Sequence, residues 1–269
     1  MVQIDIKKII ASKNPKLAKR LPNFMFRFIR RILHIDQCNY YLKNLANGTG
    51  QENVKSLLNW LKITYTVHGL ENVPKNSRLL FASNHPLGAL DGIILLDVIN
   101  DNIGEPRFLV NDLLLHLKVF DPLFVPINSY GPPTKEIAQK LNQAFSSDCQ
   151  IIIFPSGLAS RKIKGKIIDL KWKKSFVQKS IEYQRDIIPV FFKGSNSKFF
   201  YRLENIRKFL RIKINFGMFL LPREMFRNTG SHFDIYFGNP VSYNELKNSK
   251  NELQWTEDIR KMVYSLQPS

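Results

Sequence analysis

Cysteine, long apolar runs and acidic residues are all scarce in this chain, and each shortage removes a class of protein. Among 269 residues the two cysteines, Cys38 and Cys149, lie far apart and form no Cys-x-x-Cys pair. Neither a disulfide framework nor a cysteine zinc site is indicated, and a reducing, cytoplasmic setting is the expectation. No run approaches the roughly 20 apolar residues that a bilayer-crossing helix needs. The opening MVQIDIKKIIASK mixes charges into what would have to be the apolar core of a signal peptide. A soluble or peripheral protein is therefore expected. Gly/Ser-rich or Pro-rich linkers, internal repeats and a Gly-x-Ser-x-Gly nucleophile elbow are also missing. With 44% apolar residues the chain can bury a substantial core, most simply as one large domain.

The bases greatly outnumber the acids, 40 Lys and Arg against 22 Asp and Glu, for a net charge of +18. The excess is regional: residues 1–45 carry +8, residues 161–179 carry +7 and residues 193–213 carry +6. Such regions meet phosphates on lipid head groups, on a small ligand or on nucleic acid, or are simply a solvated basic surface. In the first of them, Asn23-Phe24-Met25-Phe26-Arg27-Phe28-Ile29-Arg30-Arg31-Ile32-Leu33 interleaves large apolar residues with arginine. This predicts a basic amphipathic helix, either lying in a membrane interface or packed on a core with its basic side exposed.

Beyond that segment, β-rich apolar runs at 78–84, 107–111, 123–128, 150–155, 187–193, 211–216 and 233–238 read as strands. Helices are expected over 90–100, 134–147, 169–184 and 244–266. The alternation predicts an α/β fold, a mainly parallel sheet flanked by helices, with the basic amphipathic helical segment at the N-terminus.

Two strand ends carry chemistry. The first is SNHPLGALDG, residues 83–92, a turn between a buried strand and a helix that contains His85 and Asp91. The carboxyl edge of an open α/β sheet is where ligand sites gather. A neutral imidazole there can take a proton from a hydroxyl, with a carboxylate on its other nitrogen fixing the tautomer and stabilising the imidazolium. The plainer reading is a capping Asp and a histidine satisfied by backbone. The second strand end is IIIFPSGLASRK, residues 151–162, which has the same form. Its backbone amides and arginine suit a phosphate or an oxyanion, and an ordinary turn with exposed charges would look alike.

Together these stretches resemble the lysophospholipid and glycerolipid acyltransferase superfamily over roughly residues 65–240. His85 and Asp91 look like its histidine–aspartate catalytic block, and Phe154-Pro155-Ser156-Gly157 looks like its Phe-Pro-Glu-Gly acceptor-binding block. Leu123-Phe124-Val125-Pro126-Ile127-Asn128 falls where the family has its second block, and Ile187-Ile188-Pro189-Val190 is similar to the fourth. Five residues separate His85 from Asp91 where the usual block has four. The His-Pro-x-Gly-x-x-Asp form occurs in the branch with hemolysin-like and ornithine- or glycine-lipid O-acyltransferases, which this chain resembles more. Ser156 stands in place of the usual Glu and Ala159 in place of an Arg, with Arg161 two positions on. Both changes point away from lysophosphatidate as the acceptor.

The resemblance implies a membrane-associated O-acyltransferase. It would move a fatty acyl group from a thioester, acyl-CoA or acyl carrier protein, to the hydroxyl of a lysolipid, either lysophosphatidate or a monoacylated amino-acid lipid. His85 would be the general base and Asp91 its orienter. Phe154, Pro155, Ser156 and Gly157, with Arg161 and Lys162, would bind substrate. No metal and no other cofactor is required. On this reading residues 1–50 form a helical membrane-association segment and 51–269 the acyltransferase domain, peripheral on the cytoplasmic face, with no nucleic-acid partner. Lys173 and Lys174 offer a basic surface to an acyl carrier protein.

Two other classes compete with it. A non-catalytic basic module for anionic membrane or nucleic acid leaves the histidine block unexplained, and a thioester or ester hydrolase lacks the serine elbow. Asn111-Asp112 reads as a helix cap, His116 as a packed histidine, and Asp169 and Trp172 as the opening of a basic helix. His34, His68 and His232 show no partner pattern.

Overall fold

The computed structural model describes residues 4–13, 15–75, 77–111, 117–127, 134–210, 217–249 and 251–268. Strands are β1 (Thr64–His68), β2 (Leu79–Ser83), β3 (Pro106–Asn111), β4 (Phe124–Ile127), β5 (Gln150–Ile153), β6 (Arg161–Ile163), β7 (Lys166–Ile168), β8 (Asp186–Lys193) and β9 (His232–Phe237). Seven of them form one sheet in the order β1-β9-β8-β2-β5-β3-β4, while β6 and β7 make a separate hairpin. From β8 to β4 the strands are all parallel. β9 runs antiparallel to β8, with β1 parallel to β9 at the edge.

Alternation along β2 divides the core. Leu79 and Phe81 face a cluster built with helices Gly50–Trp60 and Leu90–Asn102. Leu80 and Ala82 face a second cluster built with Lys135–Ser146, Ser175–Tyr183 and Glu252–Ser265. Every residue of β2 is buried, as a strand covered on both faces requires. Helix Leu90–Asn102 is apolar nearly all round and buried from Leu90 to Ile99, so it lies inside the fold. Its approach to the sheet depends on Gly92, where a Cβ would meet the Phe108 ring at 2.4 Å. β8, β2 and β5 are parallel neighbours, so the segments leaving Lys193, Ser83 and Ile153 emerge side by side at one sheet edge.

Some expected elements have different bounds. The helix expected over 169–184 begins only at Ser175. Asp169 gives its amide to the Tyr264 hydroxyl and Lys173 gives its amide to the Pro155 carbonyl, so this connection bonds to other parts of the fold rather than to a helical turn. The last expected helix is two, Tyr243–Asn248 and Glu252–Ser265, because Asn251 caps the second by accepting from the Gln254 amide. Residues 211–216, Asp112 and His116 lie outside the described residues. Helix Ile35–Asn44 falls in the expected N-terminal helical segment, whereas strand β1, the β6–β7 hairpin and helices Gly50–Trp60, Lys198–Phe209 and Gly217–Arg227 have no counterpart in the sequence reading. His68 pairs with Asp234 at 3.0 Å, His232 bonds Thr64 and Thr66, and His34 lies against Phe226.

The start of β2 is pinned by the fully buried Arg185. Its guanidinium donates to the carbonyls of Phe145 (2.9 Å), Cys149 (2.7 Å), Leu79 (3.3 Å) and Ala144 (3.3 Å), and also to that of Ser147. Arg185→Met would strip several buried carbonyls of their donors, at roughly 1–3 kcal/mol each. The thermal midpoint should fall by about 6 °C or more. An unchanged midpoint would show that these carbonyls find other partners.

Candidate active site

His85 and Asp91 leave the carboxyl end of β2 together. His85 Nδ1 lies 3.0 Å from Asp91 Oδ2, and that same oxygen accepts the amides of Leu87 at 3.0 Å and Gly88 at 3.2 Å. Asp91 Oδ1 accepts the Gly92 amide at 2.9 Å. The five intervening residues are accommodated by a turn whose amides point back at the carboxylate. Gly88 sits in it at φ +82°, and a Cβ there would also meet Leu221 at 2.5 Å. A carboxylate facing three amides has no proton to give, so the ring must donate from Nδ1, leaving a lone pair on Nε2. Among the described residues nothing bonds Nε2.

Phe154 lies on the other side of the ring. Its ring stacks on the imidazole with centroids 3.8 Å apart and planes 19° from parallel, and Phe108 meets Phe154 edge-on at 5.4 Å. Pro155 fixes the turn by accepting the Lys173 amide at 3.0 Å, and the buried Ser156 hydroxyl donates to the Leu158 carbonyl at 2.8 Å. The Ser160 amide donates to the His85 carbonyl at 2.7 Å, joining the turn after β5 to the turn after β2. The Asn84 side chain exchanges two hydrogen bonds with the Phe192 backbone of β8, and past the end of β8 Asn196 Nδ2 donates to the Pro86 carbonyl at 3.0 Å.

The remaining expected residues are placed differently. Arg161 is buried, its guanidinium 3.1 Å from Glu204 and over the Phe200 ring. Burial lowers its pKa from the usual arginine range, with Glu204 opposing. This cation holds β6 to helix Lys198–Phe209. Lys162 is exposed on the β6–β7 hairpin. The cation beside the Phe154–Gly157 turn is Lys173: a Cβ on Gly157 would lie 3.7 Å from its Nζ.

Asp169 is the residue whose position sequence reasoning missed. Its buried carboxylate accepts the His85 amide (3.1 Å), the Ser160 hydroxyl (2.5 Å) and the Trp172 indole N–H (2.9 Å). Burial pushes its carboxyl up from the usual range, and these three donors pull it back. One side chain therefore ties together both motif turns. Apart from being an acid in a basic stretch, Asp169 carries no local signal of this.

Three comparisons bear on what such a site belongs to. A family model described as acyltransferase matches residues 8–269. The lyso-glycine lipid O-acyltransferase of Bacteroides thetaiotaomicron is 41% identical over 264 residues, 98% of this chain and 97% of that one. The enzyme of the same name from Phocaeicola vulgatus is 40% identical over 264 residues, covering 98% of this chain and 95% of its own. The solved structure of the 1-acyl-sn-glycerophosphate (LPA) acyltransferase PlsC from Thermotoga maritima superposes with a TM-score of 0.50 at 17% identity, covering 98% and 95% of the two chains, a likeness of fold.

Asp169→Ala leaves the His85 amide, the Ser160 hydroxyl and the Trp172 indole unpaired in a buried place, at about 1–3 kcal/mol apiece. Asp169→Asn keeps an oxygen for His85 and Ser160 but sets its NH2 against the indole N–H. Chemical denaturation should find Asp169→Ala the less stable of the two. Adding Trp172→Phe should restore most of the stability lost in Asp169→Asn but only a minor fraction of that lost in Asp169→Ala, where the His85 amide and the Ser160 hydroxyl stay unpaired. Recovery of the same fraction of the lost stability in both would contradict this arrangement.

Proposed function

Starting from the membership of this chain in the acyltransferase family, we propose that it esterifies a lysolipid hydroxyl by general-base catalysis at His85, with a lyso-glycine lipid as the acceptor. The observation that carries the mechanism is the 3.0 Å contact between His85 Nδ1 and Asp91 at the end of a parallel strand. Two relatives of about 40% identity bearing the lyso-glycine lipid name support the acceptor. Family membership sets aside a non-catalytic basic module.

The acceptor hydroxyl gives its proton to His85 Nε2 as its oxygen attacks the thioester carbonyl. The new C–O bond forms, and the C–S bond breaks as the tetrahedral adduct collapses. The proton then passes from the imidazolium to the departing sulfur, leaving an ester and a free thiol. No covalent enzyme intermediate is needed. Asp91 stabilises the transient imidazolium, and such a base contributes about 10²–10⁴ in rate. Lys173, beside the Gly157 turn, faces the carboxylate of the acceptor's head group. The donor is acyl-CoA or acyl carrier protein, and Lys173 and Lys174 supply the basic surface an acidic carrier would need, although Lys174 is paired with Glu252.

Residues 1–50 serve as the membrane-association segment, holding the protein peripherally on the cytoplasmic face. Helix Asn23–Ile32 buries no residue and exposes Phe24, Phe28, Arg27, Arg30 and Arg31. No helix among the described residues is long and apolar enough to cross a membrane.

Purified protein incubated with acyl-CoA or acyl carrier protein and a panel of lyso-glycine lipid, lyso-ornithine lipid and lysophosphatidate should yield diacylated glycine lipid by mass. His85→Ala should abolish the product while keeping the folded circular-dichroism spectrum. A fully active His85→Ala would overturn the mechanism, and product from lysophosphatidate alone would overturn the acceptor.

A further inference from the structure

Helix Lys198–Phe209 is amphipathic in an unusual sense: both of its faces carry apolar residues. The inner face buries Phe200 and Tyr201 in a cluster with Leu33, Ile35, Ala159 and Leu220, and it also buries Glu204, which pairs with Arg161. This face is fixed to the active-site turn, because Ala159 precedes the Ser160 amide that bonds His85. The outer face repeats at i, i+7 and i+11: Phe199, Ile206 and Leu210 are 46%, 54% and 58% exposed, and Phe209 beside them is 85% exposed. Large side chains left in water at that spacing lie on one side of the helix, with Arg202 among them.

Charge identifies what covers the stripe. The only acid on the helix, Glu204, is buried and engaged by Arg161, Arg207 and the Gly217 amide. The exposed polar positions are Lys198, Arg202, Asn205 and Lys208. Arg223 lies over the Phe199 ring at 4.8 Å and adds to the rim. An apolar stripe bordered only by cations and a neutral amide fits an anionic lipid interface, with the rings among acyl chains and the cations at head groups. Ile29 and Ile32 of helix Asn23–Ile32 pack against the same cluster, so the two helices with exposed Phe and Arg border one another through it.

We propose that helix Lys198–Phe209, with Leu210, is a second membrane-docking element of this protein, seating its outer stripe in an anionic bilayer. Docking this helix would hold against the lipid surface the element that Arg161 and Ala159 couple to the His85 turn. The proposal rests on the lipid-acting reading above.

Flotation with vesicles of phosphatidylcholine and phosphatidylglycerol in equal parts tests it. Three proteins are compared: wild type, Ile206→Asp with Phe209→Asp, and Phe24→Asp with Phe28→Asp. Both pairs are solvent-exposed, so circular dichroism and turnover of detergent-dispersed lysolipid should match wild type. The 206/209 variant should float at least about tenfold less and turn over vesicle-borne lysolipid correspondingly more slowly. If wild type and both variants float equally, this helix has no docking role. If wild type does not float at all, the membrane reading itself fails. If wild type is a dimer by light scattering and the 206/209 variant a monomer with unchanged flotation, the stripe is an interface between copies, and the proposal is overturned.

Discussion

The buried carboxylate of Asp169 is the constraint on which the site depends. It accepts one bond from the backbone of the turn after β2, one from the turn after β5 and one from Trp172. Its own amide and carbonyl are held by Tyr264 and Arg260 of the last helix. The turn after β2, the turn after β5 and the Trp172 segment thereby share one acceptor group, which together with the Ser160–His85 backbone bond holds the His85 turn beside the Phe154 turn. The stacked pair of His85 and Phe154 is possible because that separation is fixed.

Two carboxylates therefore divide the work around one histidine. Asp91 acts on the ring: it occupies Nδ1, and in the proposed reaction it would compensate the charge that develops when Nε2 takes a proton. Asp169 acts on the backbone: it positions the residue whose ring Asp91 orients. Cations are divided in the same way. Arg161 and Arg185 are buried and structural, one pairing with Glu204 and the other binding carbonyls, whereas Lys173 remains at the Gly157 turn and the arginines of helix Asn23–Ile32 remain in solvent. The large positive charge is thus partly an internal fastening and partly an exposed basic surface.

What the sequence made legible was local. The parallel sheet, the turn joining His85 to Asp91 and the placing of Phe154 at a strand end all follow from contiguous residues whose pattern requires them. The extra residue between His85 and Asp91, a departure in sequence, proves to be a turn whose Leu87 and Gly88 amides aim at the carboxylate. What was not legible is long-range. Asp169 lies 84 positions from the amide it accepts, and a lone Asp among lysines carries no mark of that bond. Arg161 looked available because its partner, Glu204, is in a distant helix. The expected helix start at Asp169 failed for the same reason, since the bonds that keep this segment extended come from Tyr264 and Pro155.

The central claim is that the fold holds His85 with its proton on Nδ1 and its lone pair on Nε2, ready to receive a hydroxyl proton. Long-range ¹H–¹⁵N correlation spectra of the histidine side chains measure this directly, with His85→Gln used to assign the signal. At neutral pH and without substrate, the account predicts a protonated, pyrrole-type Nδ1 and an unprotonated, pyridine-type Nε2, with the preference weakened in Asp91→Asn. A His85 whose proton resides on Nε2 in the wild-type protein would contradict it.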